Sequence, residues 1–307
     1  MEYMTVKDFI KKWNISERRI RKLLQEGRIE GAYKVGKNWN IPKNANKPID
    51  KRSIKLDDFK INLSDNYFDR VDKLNKELND KRPIPRETLE SLKESMNLEW
   101  TYNSNSIEGN TLSLRETQIV LEGITIGNKT LREHLEVINH EHAIGILDEI
   151  VKEKEPISEW NIKNIHYFVL KGIDEDNAGV YRKSNVKIKG ANHIPPDYLV
   201  VPELMEKLII SYSNWKEYHP IVRAALLHGE LVKIHPFIDG NGRLSRLVMN
   251  LSLMKSGYLP VIIKKGDRIK YYDALDKGAI TGDYTDFVKM VVKAEEEALG
   301  NYLSIIK

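Results

Sequence analysis

Ile234-His235-Pro236-Phe237-Ile238-Asp239-Gly240-Asn241-Gly242-Arg243-Leu244-Ser245-Arg246 is the stretch on which the reading of this chain turns. Pro220 to Val232 is apolar at helical spacing, and His235-Pro236 ends that helix. Asp239-Gly240-Asn241-Gly242 has the composition of a turn, and a second helix opens there and runs to Lys255. Gly-Asn-Gly ahead of a helix lets backbone N–H groups converge on an anion, helped by the helix dipole. Arg243 and Arg246 lie three apart, so both guanidinium groups can face that anion from the first turn. Cations in a first turn oppose the dipole, a cost that a polyphosphate ligand would offset. Asp239 adds a carboxylate beside the same pocket, suited to Mg2+ bridging two phosphates. His235 stands just ahead of the loop, where it could take a proton from an incoming hydroxyl. The whole run from Asp239 to Arg246, Leu244 and Ser245 included, is therefore a candidate phosphate-binding segment.

Around this stretch the pattern is predominantly helical from Phe59 onward. Val71 to Leu78 has helical spacing and is ended by Pro83 and Pro85. A helix follows from Arg86 to about Ile107. Ser113 and Glu116 form a capping-box signature for the next, expected to end near Gly127. Further helices are expected over 130–153, 158–172, Pro202–Asn214, Arg268–Lys277 and from Asp283 onward. The one β interruption is Gly179 to Pro196, where Val186-Lys187-Ile188-Lys189 precedes Gly190 and His193-Ile194-Pro195-Pro196. The expected fold class is mainly α, a helical bundle over 59–307 with one β-hairpin.

Ahead of the bundle the composition changes. Residues 1–55 hold 15 Lys+Arg against 6 Asp+Glu, whereas the remaining 252 hold 34 against 39. A basic head on a mildly acidic body suggests a separate module facing a polyanion. Thr5 is the expected N-cap of a helix over 4–12, and Ser16 of a second running to Gln25. Ile20, Leu23 and Leu24 fall on the inner face of the second helix; Arg18, Arg19, Arg21 and Lys22 fall on the outer. Gly27 suits the helix end, and Ala32–Val35 with Trp39–Pro42 reads as a hairpin. Residues 1–50 are thus expected to form a small winged helix-turn-helix, with its second helix in a DNA major groove. Residues 51–58 read as a linker. Protein docking is the alternative use of this module.

Composition excludes several classes. The 307 residues include no cysteine, so disulfides, thiolate metal sites and a cysteine nucleophile are ruled out. With 41% hydrophobic and 31% charged residues, the chain reads as a soluble cytoplasmic protein with no membrane partner. Apolar runs such as Leu259 to Ile263 are too short to span a bilayer. Two motifs are decoys. Gly31 to Lys37 approximates a phosphate-binding loop, but Asn38 lacks the hydroxyl for magnesium and no helix follows. His134, His140 and His142 cluster on one helix, yet Ile144 stands where a zinc protease would need its second histidine, so surface or boundary roles are expected. His228 reads as a core histidine.

The stretch from His235 to Arg246 matches the Fic signature HxFx[DE]GNGRxxR at every specified position, and the chain resembles the Fic family from about residue 60 onward. Residues 1–50 resemble MerR/excisionase-type DNA-binding heads. Arg268 to Leu275, with Tyr271 and Tyr272, is similar to the family segment that lines the nucleoside pocket. An asparagine often found shortly after that tyrosine pair has no counterpart near Ala279. Val186, Lys187, Ile188 and Lys189, within 179–196, resemble the flap that clamps target peptide and nucleotide. Ser104-Asn-Ser-Ile-Glu108-Gly109 fits the [ST]xxxE[GN] pattern of an inhibitory helix, here about 86–109, with Glu108 expected to pair with Arg246.

The resemblance implies transfer of AMP from ATP, with Mg2+ on Asp239, to a Ser, Thr or Tyr hydroxyl of a protein, the chain itself included. His235 would be the general base. Backbone N–H groups from Gly240 to Gly242, with Asn241 between them, would hold developing charge, and Arg243 and Arg246 the outer phosphates. Glu108 would restrain the reaction, and by orienting a water would also permit AMP removal. A glycine at 242, where phosphorylating relatives carry lysine, argues for nucleotidyl transfer. The alternatives are a DNA-binding regulator whose body senses nucleotide, and transfer of another nucleotide such as UMP. A homodimer is a further expected assembly.

Overall fold

The computed structural model describes residues 3–13, 17–45, 59–64 and 66–306, without the side chains of residues 11, 18, 19 and 22. The expected cap at Ser16 and linker over 51–58 lie outside the described residues, as do the side chains of Arg18, Arg19 and Lys22. The chain divides into two compact units, Met1–Lys55 and Leu56–Lys307.

In the first unit, β1 (Tyr3–Met4) precedes α1 (Val6–Trp13), α2 (Glu17–Gln25), β2 (Tyr33–Val35) and β3 (Asn38–Pro42). The strands form an antiparallel sheet in the order β1-β3-β2, with Met4 opposite Ile41 and Lys34 opposite Trp39. Met4 therefore belongs to a strand and not, as expected, to the first helix. A two-residue strand has too little pattern to be seen without its partner. Asp8 accepts from both the Thr5 N–H (2.9 Å) and hydroxyl (2.7 Å), which fixes the helix start at Val6. Phe9, Trp13, Ile20, Leu23, Leu24 and Ile41 make the core of this unit. Arg21 is half-exposed and bonds Glu17 at 2.7 Å.

The second unit is helical: α3 (Asp69–Asp80), α4 (Arg86–Ile107), α5 (Leu114–Leu121), α6 (Leu131–Lys152), α7 (Glu159–Leu170), α8 (Val201–Asn214), α9 (Pro220–Ile234), α10 (Asn241–Lys255), α11 (Arg268–Thr281) and α12 (Thr285–Ile305). Among the described residues, no helix is long and apolar enough to cross a membrane. Ser113 with Glu116 and Thr130 with Glu133 form reciprocal capping boxes that set the starts of α5 and α6. The helix from Ser113 stops at Leu121, earlier than expected, because Gly123 takes a left-handed φ of 85°. α9 and α10 occupy the centre, with Ala224 to Leu231 and Arg243 to Leu253 buried without interruption. Each large apolar side chain buried there contributes about 1.5–3 kcal/mol. The loop between these two helices is thus held from both sides by the core.

Two expectations are corrected. His134 and His140 are buried at 7% and 1% exposure, so they are interior groups rather than surface ones. His134 accepts from the Ile126 N–H at 2.9 Å and donates to the Thr130 carbonyl at 2.7 Å; His140 lies 3.2 Å from the Thr101 hydroxyl. The segment 179–196 turns back at Gly190 but forms no strand ladder. An isolated pair of short arms is marginal as a hairpin, and its backbone donors are taken elsewhere. Asp276 accepts from the N–H groups of Asn192 (3.1 Å) and His193 (2.8 Å), and Asn185 bonds Asp197 at 2.9 Å.

Candidate active site

The loop following α9 is set by backbone geometry. His235 is left-handed, with φ 51° and ψ 60°, and its N–H still closes on Leu231 O at 3.0 Å. A non-glycine residue there is uncommon and strained. Asn241 pins the next turn twice: its Oδ1 accepts from the Phe237 N–H at 3.0 Å and its Nδ2 donates to Phe237 O at 2.9 Å. Phe237 is fully buried and stacks on His166 at 3.6 Å. His166 also donates from Nε2 to Asp239 O (2.9 Å) and accepts at Nδ1 from the Gly179 N–H (2.9 Å). Gly240 has a φ of 76°, and a Cβ there would lie 3.2 Å from His166 Nε2. Among the described residues, no side chain caps the N-terminus of α10, which leaves its first-turn N–H groups to a ligand or water.

Four charged side chains form an alternating ring beside that turn. Arg243, 2% exposed, lies 3.4 Å from Glu136 and 3.6 Å from Asp239. Arg132 bonds Glu136 at 3.1 Å and also bonds Asp239 Oδ2. Burial draws the Asp239 pKa up, but Arg243, the Gly240 N–H and Arg132 outweigh it and hold the carboxyl below its ordinary value. Asp239 is thus an ionised carboxylate with its side chain 42% exposed. One such group, with the remaining positions left to phosphate oxygens and water, fits Mg2+. Among the described residues, no cluster of three His, Asp or Glu side chains is gathered around a cation position.

Arg246 is buried and held by four bonds. Nε donates to Ser104 Oγ (3.1 Å), Nη2 to Ser104 O (2.8 Å) and to Glu108 Oε1 (2.7 Å), and Nη1 to Tyr271 OH (3.3 Å). Burial alone would lower its pKa; Tyr271 and Glu108 reverse that, and the guanidinium is held above its ordinary value. The pairing of Glu108 with Arg246 expected from the sequence is therefore present. A Cβ on Gly242 would stand 2.2 Å from Glu108 Oε1, so only glycine lets the carboxylate reach the first turn of α10.

His235 is half-buried, and its Nδ1 contacts Val232 O at 3.3 Å. Burial is the main cause that brings its pKa down to about 4, with Arg182 acting in the same direction and Val232 O and Glu108 opposing. The imidazole is neutral at pH 7, with Nδ1–H directed at the carbonyl and the Nε2 lone pair available. Arg182, 2% exposed, donates to His235 O (2.9 Å), Ser184 O (2.9 Å) and Pro196 O (2.5 Å). It therefore ties both ends of the 182–196 segment to the backbone of His235.

Of the residues singled out in the sequence, His235, Asp239, Gly240, Asn241, Gly242, Arg243, Arg246 and Glu108 converge. Leu244 and Ser245 face the core; both are fully buried, and Ser245 Oγ bonds Asn241 O at 2.7 Å. Tyr271 is likewise buried, between Arg246 and His228 Nε2 (2.9 Å), so it supports the arginine and offers no open face. Tyr272 is 39% exposed and bonds Ile107 O at 3.2 Å. Val186 and Ile188 are half-buried, with Lys187 and Lys189 exposed. Arg132, Glu136, His166 and Arg182 were not foreseen. Only Arg132 left a local trace, as a cation in the first turn of a helix.

A profile of the Fic/DOC family matches residues 156–253, which run from the approach to α7 into α10. The protein adenylyltransferase Fic of Drosophila willistoni is 39% identical over 209 residues, covering 66% of this chain and 41% of that protein. The corresponding protein of Drosophila melanogaster is 39% identical over 206 residues, with the same 66% and 41%. The chain thus spans about two fifths of the length of these curated relatives. Among solved structures, a Fic domain containing signaling protein from Bacteroides thetaiotaomicron superposes with a TM-score of 0.72 at 27% identity, over 77% of this chain and 96% of that one. Fic-1 (residues 134–508) from C. elegans gives a TM-score of 0.71 at 33% identity, over 78% of this chain and 71% of that one. With that identity sustained over most of a solved relative, and the profile falling on the helices that carry the loop, the chain belongs to the Fic/DOC family.

Proposed function

We propose that this chain is a protein adenylyltransferase, transferring AMP from ATP to a protein Ser, Thr or Tyr hydroxyl, its own included. The loop from His235 to Arg246 carries the reading: a neutral imidazole beside a helix N-terminus with no side-chain cap hydrogen bond, with Arg243 in its first turn and Arg246 in its second. His235 Nε2 takes the hydroxyl proton as the new oxygen–phosphorus bond forms at Pα. The bond from Pα to the bridging oxygen breaks, and pyrophosphate leaves with that electron pair. Arg243 and Arg246 orient the β and γ phosphates so that Pα faces the hydroxyl in line. The first-turn N–H groups of α10 oppose the charge that develops. Mg2+ on Asp239 would neutralise phosphate charge. Tyr272 borders the nucleoside, and Val186 to Lys189 line the path of the target segment.

Glu108 restrains this reaction by occupying Arg246. Mass spectrometry of the Glu108→Gly protein after incubation with Mg2+ and each nucleoside triphosphate tests the reading. It predicts an AMP adduct from ATP; a UMP adduct alone would reassign the nucleotide, and no adduct on the chain or on any added protein would contradict the reading. For residues 1–50 we propose duplex DNA binding through α2, supported by the excess of 15 Lys+Arg over 6 Asp+Glu in residues 1–55.

A further inference from the structure

Both carboxylate oxygens of Asp239 are engaged. Its Oδ1 accepts the Gly240 N–H at 2.6 Å and faces Arg243 at 3.6 Å. Its Oδ2 is bonded by Arg132, from a different helix. Arg243 is 2% exposed and the Gly240 N–H is part of the pinned turn, so neither can withdraw. Arg132 can: its side chain is 55% exposed, and its Nε bonds Glu136 at 3.1 Å through an atom separate from the Nη2 that meets Asp239. Glu136 is itself anchored by Asn110 Nδ2 at 3.0 Å and Arg243 at 3.4 Å, so that tether is firm. Arg132 also sits in the first turn of α6, where the helix dipole disfavours a cation. Its position is thus maintained by the two carboxylates and not by its own helix.

We propose that Arg132 is a built-in competitor for the metal ion, occupying the outward oxygen of Asp239 until a divalent cation arriving with nucleotide displaces it. The inference rests on Asp239 being the metal carboxylate of the proposed reaction. Metal entry then exchanges one ion pair for another and releases a guanidinium at the pocket mouth, still leashed by Glu136. The Mg2+ concentration needed for productive nucleotide binding is set by that exchange, separately from the restraint at Arg246.

The test uses the full chain carrying Glu108→Gly, with and without Arg132→Gln. Mg2+ is titrated at a fixed concentration of a non-hydrolysable ATP analogue, and nucleotide binding is read by calorimetry, with no turnover required. A half-exposed, charge-assisted pair predicts a midpoint lower by roughly three- to tenfold in Arg132→Gln. Arg132→Lys, which keeps a cation but not the fork, should lie between. Adding Asp239→Asn should abolish the difference between the Arg132 variants. Equal midpoints, or a higher midpoint in Arg132→Gln with folding confirmed by circular dichroism, would overturn this inference alone. Absence of Mg2+-dependent nucleotide binding in every variant would overturn the adenylyl-transfer reading together with it.

Discussion

Replacing Glu108 by glycine removes one of the four bonds on Arg246, the 2.7 Å contact that carries full opposite charge. A charge-assisted hydrogen bond is worth about 1.5–3 kcal/mol. Glu108 is 31% exposed at its side chain, which places the pair near the lower end, about 1.5–2 kcal/mol after screening. At 1.4 kcal/mol per factor of ten, productive ATP binding should tighten by roughly ten- to thirtyfold. Arg246 keeps its two bonds to Ser104 and one to Tyr271, so it stays in place. It does lose its anion while buried, and the nucleotide-free protein should melt a few degrees lower. Mg2+ and ATP should restore that loss by binding the folded state. Glu108→Gln, which retains an acceptor without the charge, should fall between the two. Calorimetry for ATP affinity and thermal melts with and without nucleotide measure both effects. Equal ATP affinity in wild type and Glu108→Gly, both folded, would refute the argument and leave Glu108 as a helix-end residue without regulatory effect.

Other expectations follow from the same geometry. Because burial brings the His235 pKa from 6.5 to about 4, the base stays neutral well below pH 7, and the acid limb of kcat/KM should fall near pH 4 to 5. Glu108 opposes that shift, so in Glu108→Gly the limb should move lower still; a midpoint near pH 6.5 in either protein would contradict the burial argument. His166, also at about 4 through burial, acts with His235 on stability. The unfolded chain binds the extra protons, so stability should be complete above pH 6.5 and decline as pH falls toward 4, as thermal melts across that range would show. Gly242→Ala should lower the melting temperature by displacing Glu108, whose Oε1 would lie 2.2 Å from the new Cβ. In the Glu108→Gly background the same change should have little further effect; an undiminished loss would place the clash elsewhere. DNA binding by the full chain should weaken steeply with salt, and Arg18, Arg19 and Arg21 together changed to Ala should weaken it further. No binding at low salt would reassign residues 1–50 to protein docking.

Much of the frame was legible because its signals are local. The run from Arg86 to Ile107 is a helix from end to end, and Ser113 with Glu116 marks the next start by a three-residue reciprocal bond. The loop from His235 to Arg246 is equally local, with base, turn and arginines on one continuous segment. What escaped notice is what other elements bring to it. Arg132 and Glu136 come from α6, His166 from α7 and Arg182 from the loop after α7, and none belongs to a motif that spacing alone identifies. Tyr271 was assigned to a nucleoside pocket because aromatic identity says nothing about which way a helix faces. Thr101, Asn103 and Ser104 are polar but buried, since the end of α4 passes beside Arg246 and each is bonded there: Thr101 to His140, Asn103 to the Lys265 N–H and Ser104 to Arg246. The alternation of Val186 to Lys189 suggests a strand, but among the described residues no neighbouring strand pairs with it, and Asp276 takes the backbone N–H groups of Asn192 and His193.

The central claim is that His235 drives transfer of a nucleotide held by the turn beside it. Its most direct test compares Glu108→Gly with Glu108→Gly/His235→Ala, measuring in each the ATP affinity by calorimetry and the covalent AMP adduct by intact-protein mass spectrometry after incubation with Mg2+ and ATP. His235 acts on the hydroxyl and touches no phosphate ligand, so both proteins should bind ATP with similar affinity, and only the one retaining His235 should carry the adduct. Equal adduct in both proteins, or loss of ATP binding in step with loss of the adduct, would contradict the account.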